Sequence, residues 1–288
     1  MLTDEEILNL KEKANNIRIS IIDMLLEAGS GHTAGPLGMA DVFTYLYFHE
    51  MKHDAKNPTW TDRDRFVLSN GHICPVLYST MAHAGYFPVE ELQTLRKFGS
   101  RLQGHPHREF LPMLENSSGP LGSGLSQIVG MALADRIDNG DTQSQKYFYC
   151  VTGDGELNEG QNWEAIMLAG KEKLRNVIAI VDRNNIQIDG YTEDIMPLNE
   201  LTNKWESFNW HVQEIDGHNF EMISDAIGKA KATFDKPSVI IAKTIPGKGV
   251  AEFERDYHWH GKAPNKDEAN MALNELRTLG GKIKSEHE

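Results

Sequence analysis

The chain reads as an α/β protein: one parallel β-sheet flanked by helices on both faces. Three observations predict it. Apolar runs of strand length alternate with helical patterns, the order that βαβ units produce. The runs at 146–152 (KYFYCVT), 176–182 (NVIAIVD) and 238–244 (SVIIAKT) are nearly continuous in apolar residues, as strands covered on both sides are. A length of 288 residues with a hydrophobic fraction of 40% suffices for one large core.

The elements follow in order. Thr3 and Glu6 form a capping box, and Ile7, Leu10, Ala14, Ile17, Ile21 and Leu25 recur at helical spacing until Gly29 and Gly31 stop the helix. A second helix is expected over about 36–51, with Pro36 tolerated in its first turn. RFVLS (65–69) reads as a short buried strand and 123–137 as a helix. Strands at 146–152 and 176–182 bracket a helix carrying Trp163, Ile166 and Met167. Strands at 211–216 and 238–244 bracket another at 220–234. No repeat or low-complexity linker divides the chain, so one domain over 1–265 is expected, followed by a helical tail over 266–288.

The net charge of −13 argues against nucleic acid as the main partner. The two cysteines, Cys74 and Cys150, lie in apolar contexts and read as buried free thiols of a reducing compartment. The acidic, amphipathic N-terminus is unlike a signal or transit peptide, and no apolar run approaches a membrane span. A cytoplasmic protein without membrane contact is expected.

The densest chemistry lies in GDGELNEGQNWEA (153–165), at the end of a predicted strand. In a parallel sheet, ligands bind beyond the carboxyl ends of the strands, and Asp154 sits at such an end. Gly-Asp-Gly alone reads equally as a turn in which Asp154 caps a helix. The next strand, however, runs into DRNNIQIDG, placing Asn184 30 residues after Asp154. A carboxylate, an amide oxygen and a nearby carbonyl make a hard oxygen half-shell of the kind Mg²⁺ takes, completed by phosphates and water. No G-x-G-x-x-G follows a first strand, and GKG (247–249) lacks the Ser/Thr of a P-loop.

Twelve histidines are present, several in glycine-rich contexts: His32 in GSGHTAGPLGMAD, His72 in LSNGH, His105 in QGHPH and His260 in HWHGKAP. The pairs His105/His107 and His258/His260 are not accompanied by the compact cluster of three or more ligands that zinc needs.

Taken together, SGH…GPLGMAD, DRFVLSNGH, GHP, SSGPLGSGL, GDGELNEGQNWEA, DRNNIQIDG and HGKAP resemble, in order from about residue 27 to 265, the N-terminal half of a transketolase. The spacing from GDG to Asn184 is similar to the thiamine-diphosphate motif. The resemblance implies the thiamine-diphosphate-binding fold, in its diphosphate-binding form, and transfer of a two-carbon ketol unit through a covalent thiamine adduct. Carried over residue by residue, it implies Mg²⁺ (with Ca²⁺ or Mn²⁺ as substitutes) on Asp154, Asn184 and the Ile186 carbonyl. It places Gly119, Pro120, Leu121 and Gly155 along the cofactor. His72 and His260 belong near the diphosphate and reacting centre. His32, His105 and His260 belong at the sugar's hydroxyls, where imidazole suits proton transfer. Glu159 matches an interface carboxylate, or serves as a helix-start glutamate favoured by the dipole. Ile188 packs on the cofactor or in the core.

Departures from the pattern fall at Pro246, in VAEFERDYH, and at Lys262 inside HGKAP. The family's pyrimidine-side glutamate, aromatic clamp and phosphate-binding arginines lie on a second domain. The resemblance therefore implies a split enzyme: this chain with a C-terminal subunit, as α₂β₂, acting on sugar phosphates of the pentose-phosphate type or on an unusual ketose. Alternatives are a subunit of another thiamine-diphosphate enzyme, deoxyxylulose-phosphate synthase-like or keto-acid-using, and a non-catalytic cofactor-binding subunit.

Overall fold

The computed structural model describes residues 2–140 and 145–285. Helices α1 (Asp4–Ala28) and α2 (Ala34–Tyr45) precede strand β1 (Arg65–Leu68). Helices α3 (Cys74–His83) and α4 (Ser123–Asn139) then lead to β2 (Phe148–Gly153). Helix α5 (Gly160–Glu172) crosses to β3 (Val177–Arg183). A small hairpin, β4 (Ile186–Gln187) and β5 (Gly190–Tyr191), and the short helices α6 (Thr192–Ile195) and α7 (Leu201–Ser207) follow. The chain continues through β6 (His211–Asp216), α8 (Phe220–Ala232) and β7 (Ser238–Lys243) to α9 (Lys266–Ser285).

The five long strands form one sheet in the order β1-β2-β3-β7-β6, every pair parallel. Successive residues of a strand face opposite sides, and β3 divides accordingly. Ile178 and Ile180 join a core built with α1, α2, α3, α8 and α9, while Val177, Ala179 and Val181 join one built with α4, α5 and α7. Covered faces on both sides explain the continuous apolar runs.

The capping box at Thr3 forms with both bonds in place, and Gly29 closes α1 in the left-handed region at φ 63°. Strand and helix boundaries fall within about two residues of expectation, except in α2. That helix starts at Ala34 and passes into a π-helical turn at Leu46–Glu50. Helix α3 was not anticipated: all its residues from Cys74 to Ala82 are buried, so no polar face marks a period. The β4–β5 hairpin is too short for a sequence pattern. Helix α9 packs along α1, burying Ala269, Ala272, Leu273 and Leu276 in the same core, and Asn15 Nδ2 donates to the Leu276 carbonyl at 2.9 Å. Residues 286–288 of the expected tail lie outside the described residues.

The segment after β7 carries the departures at Pro246, VAEFERDYH and Lys262, and it is firmly seated. Ile245 N–H donates to His218 Nε2 at 2.7 Å, so His218 Nδ1 carries the proton and donates to Asp41 Oδ2 at 2.7 Å. Burial pushes the Asp41 carboxyl up, but Arg18 and His218 hold it down at about 2. Gly247 N–H donates to the Ala34 carbonyl at 2.8 Å. Phe253 stacks near Trp259 with centroids 3.7 Å apart. Lys262 Nζ lies 3.9 Å from the Trp259 ring centre and pairs with Glu268, while its carbonyl accepts from Thr33 Oγ1. Gly247 has φ 78°, and a Cβ there would lie 2.3 Å from the Phe253 carbonyl oxygen. Gly247→Ala should therefore cost about 2 kcal/mol or more, from left-handed strain plus overpacking. Urea denaturation against wild type measures it.

Candidate functional site

The ends of β1, β2 and β3 and the loops beyond them close around a cavity of about 400 Å³, the size of a cofactor site. Pairing of β2 with β3 sets Gly153 beside Asp182, so the two strand ends deliver Asp154 and Asn184 to the same wall. Asp154 is 1% exposed. Its Oδ1 accepts from Gly155 N–H at 2.7 Å; its Oδ2 accepts from Asn185 N–H at 2.7 Å and Arg183 Nη1 at 3.0 Å. It thus caps the turn and faces the cavity at once. Burial pushes its carboxyl up, against the pull of Arg183 and the amides. Asn184 turns its Oδ1 to Ile186 N–H at 3.0 Å and its Nδ2 to Asp182 at 2.8 Å. This fixes the amide oxygen and the Ile186 backbone near the carboxylate.

His32, His72 and His260 line the same cavity as a triangle, with ring centres 4.9, 5.1 and 5.6 Å apart. His105, Gly119, Leu121, Gly155, Ile186 and Ile188 complete the lining, with Gly153 of the Gly-Asp-Gly turn and three motif residues to which the sequence assigned no role: Asn70, Glu156 and Gln187. Ile188 is 63% exposed, so core packing does not account for it. Two anticipated residues stand outside the cavity wall. Pro120 is exposed and gives its carbonyl to Ser123 Oγ. Glu159 is exposed at the N-cap of α5, without a side-chain capping bond.

Glu156 is the main residue that motif spacing missed, although it stands inside GDGE. It is 3% exposed. Its Oε1 accepts from Ser69 Oγ and from Gly122 N–H at 2.7 Å, and its Oε2 from Gly153 N–H at 3.0 Å. One carboxylate thereby ties the loop after β1, the start of α4 and the end of β2.

Burial lowers the pKa of all four cavity histidines: His32 to about 4, helped by His260, Arg96 and His105; His72 well below the ordinary value; His105 and His260 in the same direction. They are neutral at pH 7, so each ring carries one donor and one acceptor nitrogen. The sign for stability follows. Below the ordinary imidazole value of 6.5 the unfolded chain takes up protons that the folded chain refuses, so stability falls as pH drops from 6.5 through about 4. The thermal midpoint should decline over that window, and less steeply in His72→Gln.

The donors suit a polar ligand with a hard cation. In and beside this cavity His32 Nδ1, His260 Nδ1, Asn70 Oδ1 and Ser118 Oγ are buried without a partner among the described residues, a state that buried polar groups rarely keep. The oxygens of Asp154, Asn184 and Ile186 are the hard donors Mg²⁺ selects.

Residues 10–280 match the family described as transketolase, thiamine diphosphate binding domain. This chain belongs to the transketolase family. It is 42% identical over 276 residues to the 6-deoxy-6-sulfo-D-fructose transketolase subunit SqwG of Clostridium sp. (strain MSTE9), covering 96% of this chain and 99% of that one. It is 38% identical to an apulose-4-phosphate transketolase subunit from Phocaeicola vulgatus, covering 98% of each. The transketolase from Leishmania mexicana superposes with a TM-score of 0.85 at 32% identity, over 96% of this chain and 45% of that one. The chain therefore has the length of a transketolase subunit and spans about half of a single-chain transketolase. Among its described residues no helix is long and apolar enough to cross a membrane.

Proposed function

We propose that this chain is the diphosphate- and Mg²⁺-binding subunit of a two-subunit transketolase that moves a two-carbon ketol unit from a ketose phosphate to an aldose phosphate. The observation that carries the reading is convergence. Residues from motifs scattered over more than two hundred positions, His32 to His260, line one cavity, in a chain of transketolase-subunit length. Asp154, Asn184 and the Ile186 carbonyl hold Mg²⁺, for which Ca²⁺ or Mn²⁺ can substitute. Gly119, Leu121 and Gly155 line the cofactor, and Ile188 offers it an apolar surface. Thiamine diphosphate supplies the carbon nucleophile of ketol transfer. The protein's own part is to place neutral imidazoles around the reacting sugar. His72 and His260 stand toward the diphosphate and the reacting centre. His32, His105 and His260 take hydrogen bonds from hydroxyls and relay their protons.

The cavity is open, and its described walls include no pyrimidine-side glutamate of the kind the family uses. A C-terminal subunit with the pyrimidine domain completes it, in an α₂β₂ assembly within the cytoplasm; Glu159, exposed at the start of α5, is available to that interface. Pentose-phosphate sugars are the first donors to test. The subunit-length relatives named for 6-deoxy-6-sulfo-D-fructose and apulose-4-phosphate favour a dedicated ketose as the second reading.

The test is reconstitution. The chain, its candidate partner and the mixture are assayed with Mg²⁺ and thiamine diphosphate for transfer from xylulose 5-phosphate to ribose 5-phosphate, then from other ketoses. Turnover by the mixture alone supports the split enzyme; turnover by this chain alone refutes it.

A further inference from the structure

Resting on that reading, we infer that Asp182 is a positioning residue of the proposed cation site: its carboxyl group selects which end of the Asn184 amide meets the cation, while its backbone anchors Asp154. The need for a selector comes from the amide itself. Its oxygen is a ligand for a hard cation and its NH₂ group is not, and a half-turn about the last side-chain bond exchanges the two. At Asn184 two neighbours make the choice, and both make it the same way. Ile186 N–H, a donor, takes Oδ1 at 3.0 Å, and Asp182 Oδ2, an acceptor, takes Nδ2 at 2.8 Å. The other carboxyl oxygen of Asp182 accepts from Thr244 Oγ1. With both oxygens engaged as acceptors, a turned amide would set oxygen against oxygen.

The ends of four strands put Asp182 in this place. Pairing of β3 with β2 sets Asp182 beside Gly153, and the Asp182 carbonyl accepts from Asp154 N–H at 3.2 Å. One residue thus holds the backbone of one proposed ligand and the side chain of another. On its other side β3 pairs with β7, which ends one residue before Thr244. Thr244 N–H donates to the Arg183 carbonyl at 3.4 Å. Gly217, just after β6, stands behind Thr244: a Cβ there would lie 2.7 Å from Thr244 Cγ2. Glycine at 217 therefore lets the end of β6 close on Thr244, and its N–H donates to the Lys243 carbonyl at 2.9 Å. The buttress runs from Gly217 through Thr244 and Asp182 to Asn184.

Asp182 and Thr244 are buried, and neither lines the cavity. Asp182 acts through Asn184 and Asp154. Packing between β3 and β7 alone would be served by an apolar side chain, because burying a carboxyl group costs free energy that its hydrogen bonds must offset.

The test uses the full chain assembled with its partner subunit, with thiamine diphosphate present and Mn²⁺ as the probe, since the paramagnetic resonance signal of free Mn²⁺ counts what remains unbound. Wild type, Asp182→Leu, Asp182→Ala, Asp182→Asn and Thr244→Val are compared, each first melted without metal. Leucine and alanine both remove the acceptor, so either suffices if the other does not fold. Each should weaken Mn²⁺ binding about 10–100-fold, the range for an outer partner of a metal ligand. Asp182→Asn should return to within about threefold of wild type, because its amide oxygen can accept from Asn184 while its NH₂ donates to a turned Thr244 hydroxyl. Thr244→Val leaves a buried oxygen unpaired but leaves Asn184 its acceptor, so it should melt earlier and keep its Mn²⁺ affinity within about threefold. Unchanged affinity in Asp182→Leu and Asp182→Ala, an equal loss in Thr244→Val, or no recovery in Asp182→Asn overturns the assignment. If neither the leucine nor the alanine variant folds, Asp182 is a structural residue and the assignment falls. A wild-type assembly that takes up no Mn²⁺ refutes the cation site itself and this inference with it, an outcome distinct from a wild type and variants that bind alike.

Discussion

Asp154→Ala should lower ketol transfer by the reconstituted enzyme by about 10³-fold or more, beyond the 10–100-fold that outer partners of a metal ligand typically cost. The reason lies in what the carboxylate does at the strand end. It is buried beside two backbone amides and one guanidinium, and of the three proposed ligands, with the Asn184 amide and the Ile186 carbonyl, it is the carboxylate. Alanine removes the charge and also releases Gly155, Asn185 and Arg183, so activity alone would not separate lost metal from lost structure. Asp154→Asn separates them. An amide keeps the size and one acceptor oxygen, and the fold should survive. Thermal melts provide the readout: wild type should gain stability on adding Mg²⁺ with thiamine diphosphate, by linkage, and Asp154→Asn should not. A full ligand-induced shift in Asp154→Asn would remove Asp154 from the metal site.

How far the sequence carried these conclusions depended on the kind of signal. The strands were legible because burial on both faces leaves continuous apolar runs, and α1 because its cap and stripe are both local. Helix α3 was not, because burial on every side erases the period. The same contrast divides the site. Asp154 and Asn184 stand out through glycine context and spacing, and the four histidines through recurring glycine neighbours. Glu156 carries no such mark. A glutamate at the start of a helical turn looks solvent-facing in sequence, and its burial is created only by tertiary partners at positions 69, 122 and 153. Glu159 has a helix-start position that the sequence and the structure describe alike, while any role at an interface depends on another chain.

Glu156→Ala should be the most destabilising single change near the site, at about 3–5 kcal/mol, the range for breaking a buried charged network. The loss goes beyond one side chain. Ser69 Oγ, Gly122 N–H and Gly153 N–H would all be left facing a void, and unsatisfied buried donors retain their full desolvation penalty. Ser69 Oγ in turn accepts from Gly124 N–H at 3.0 Å, so the first turn of α4 would lose its anion while the hydroxyl it leans on loses the acceptor that orients it. Gly119–Leu121 hang directly before that turn, and cofactor affinity should fall with stability. Glu156→Gln distinguishes charge from shape, because its amide can satisfy one side of the network and must present N–H groups to the other. About 1–3 kcal/mol is expected. Burial raises the Glu156 carboxyl despite its three donors. Its contribution to stability is therefore greatest in acid and declines as pH rises from the ordinary glutamate value of 4.5 through the raised one, opposite in sign to the histidines. Subtracting the pH–stability curve of Glu156→Gln from that of wild type should leave this declining component. Urea denaturation across pH, with cofactor titration at neutral pH, checks both halves. A Glu156→Ala protein that unfolds at the wild-type urea concentration would mean that the three loops are held together by packing alone.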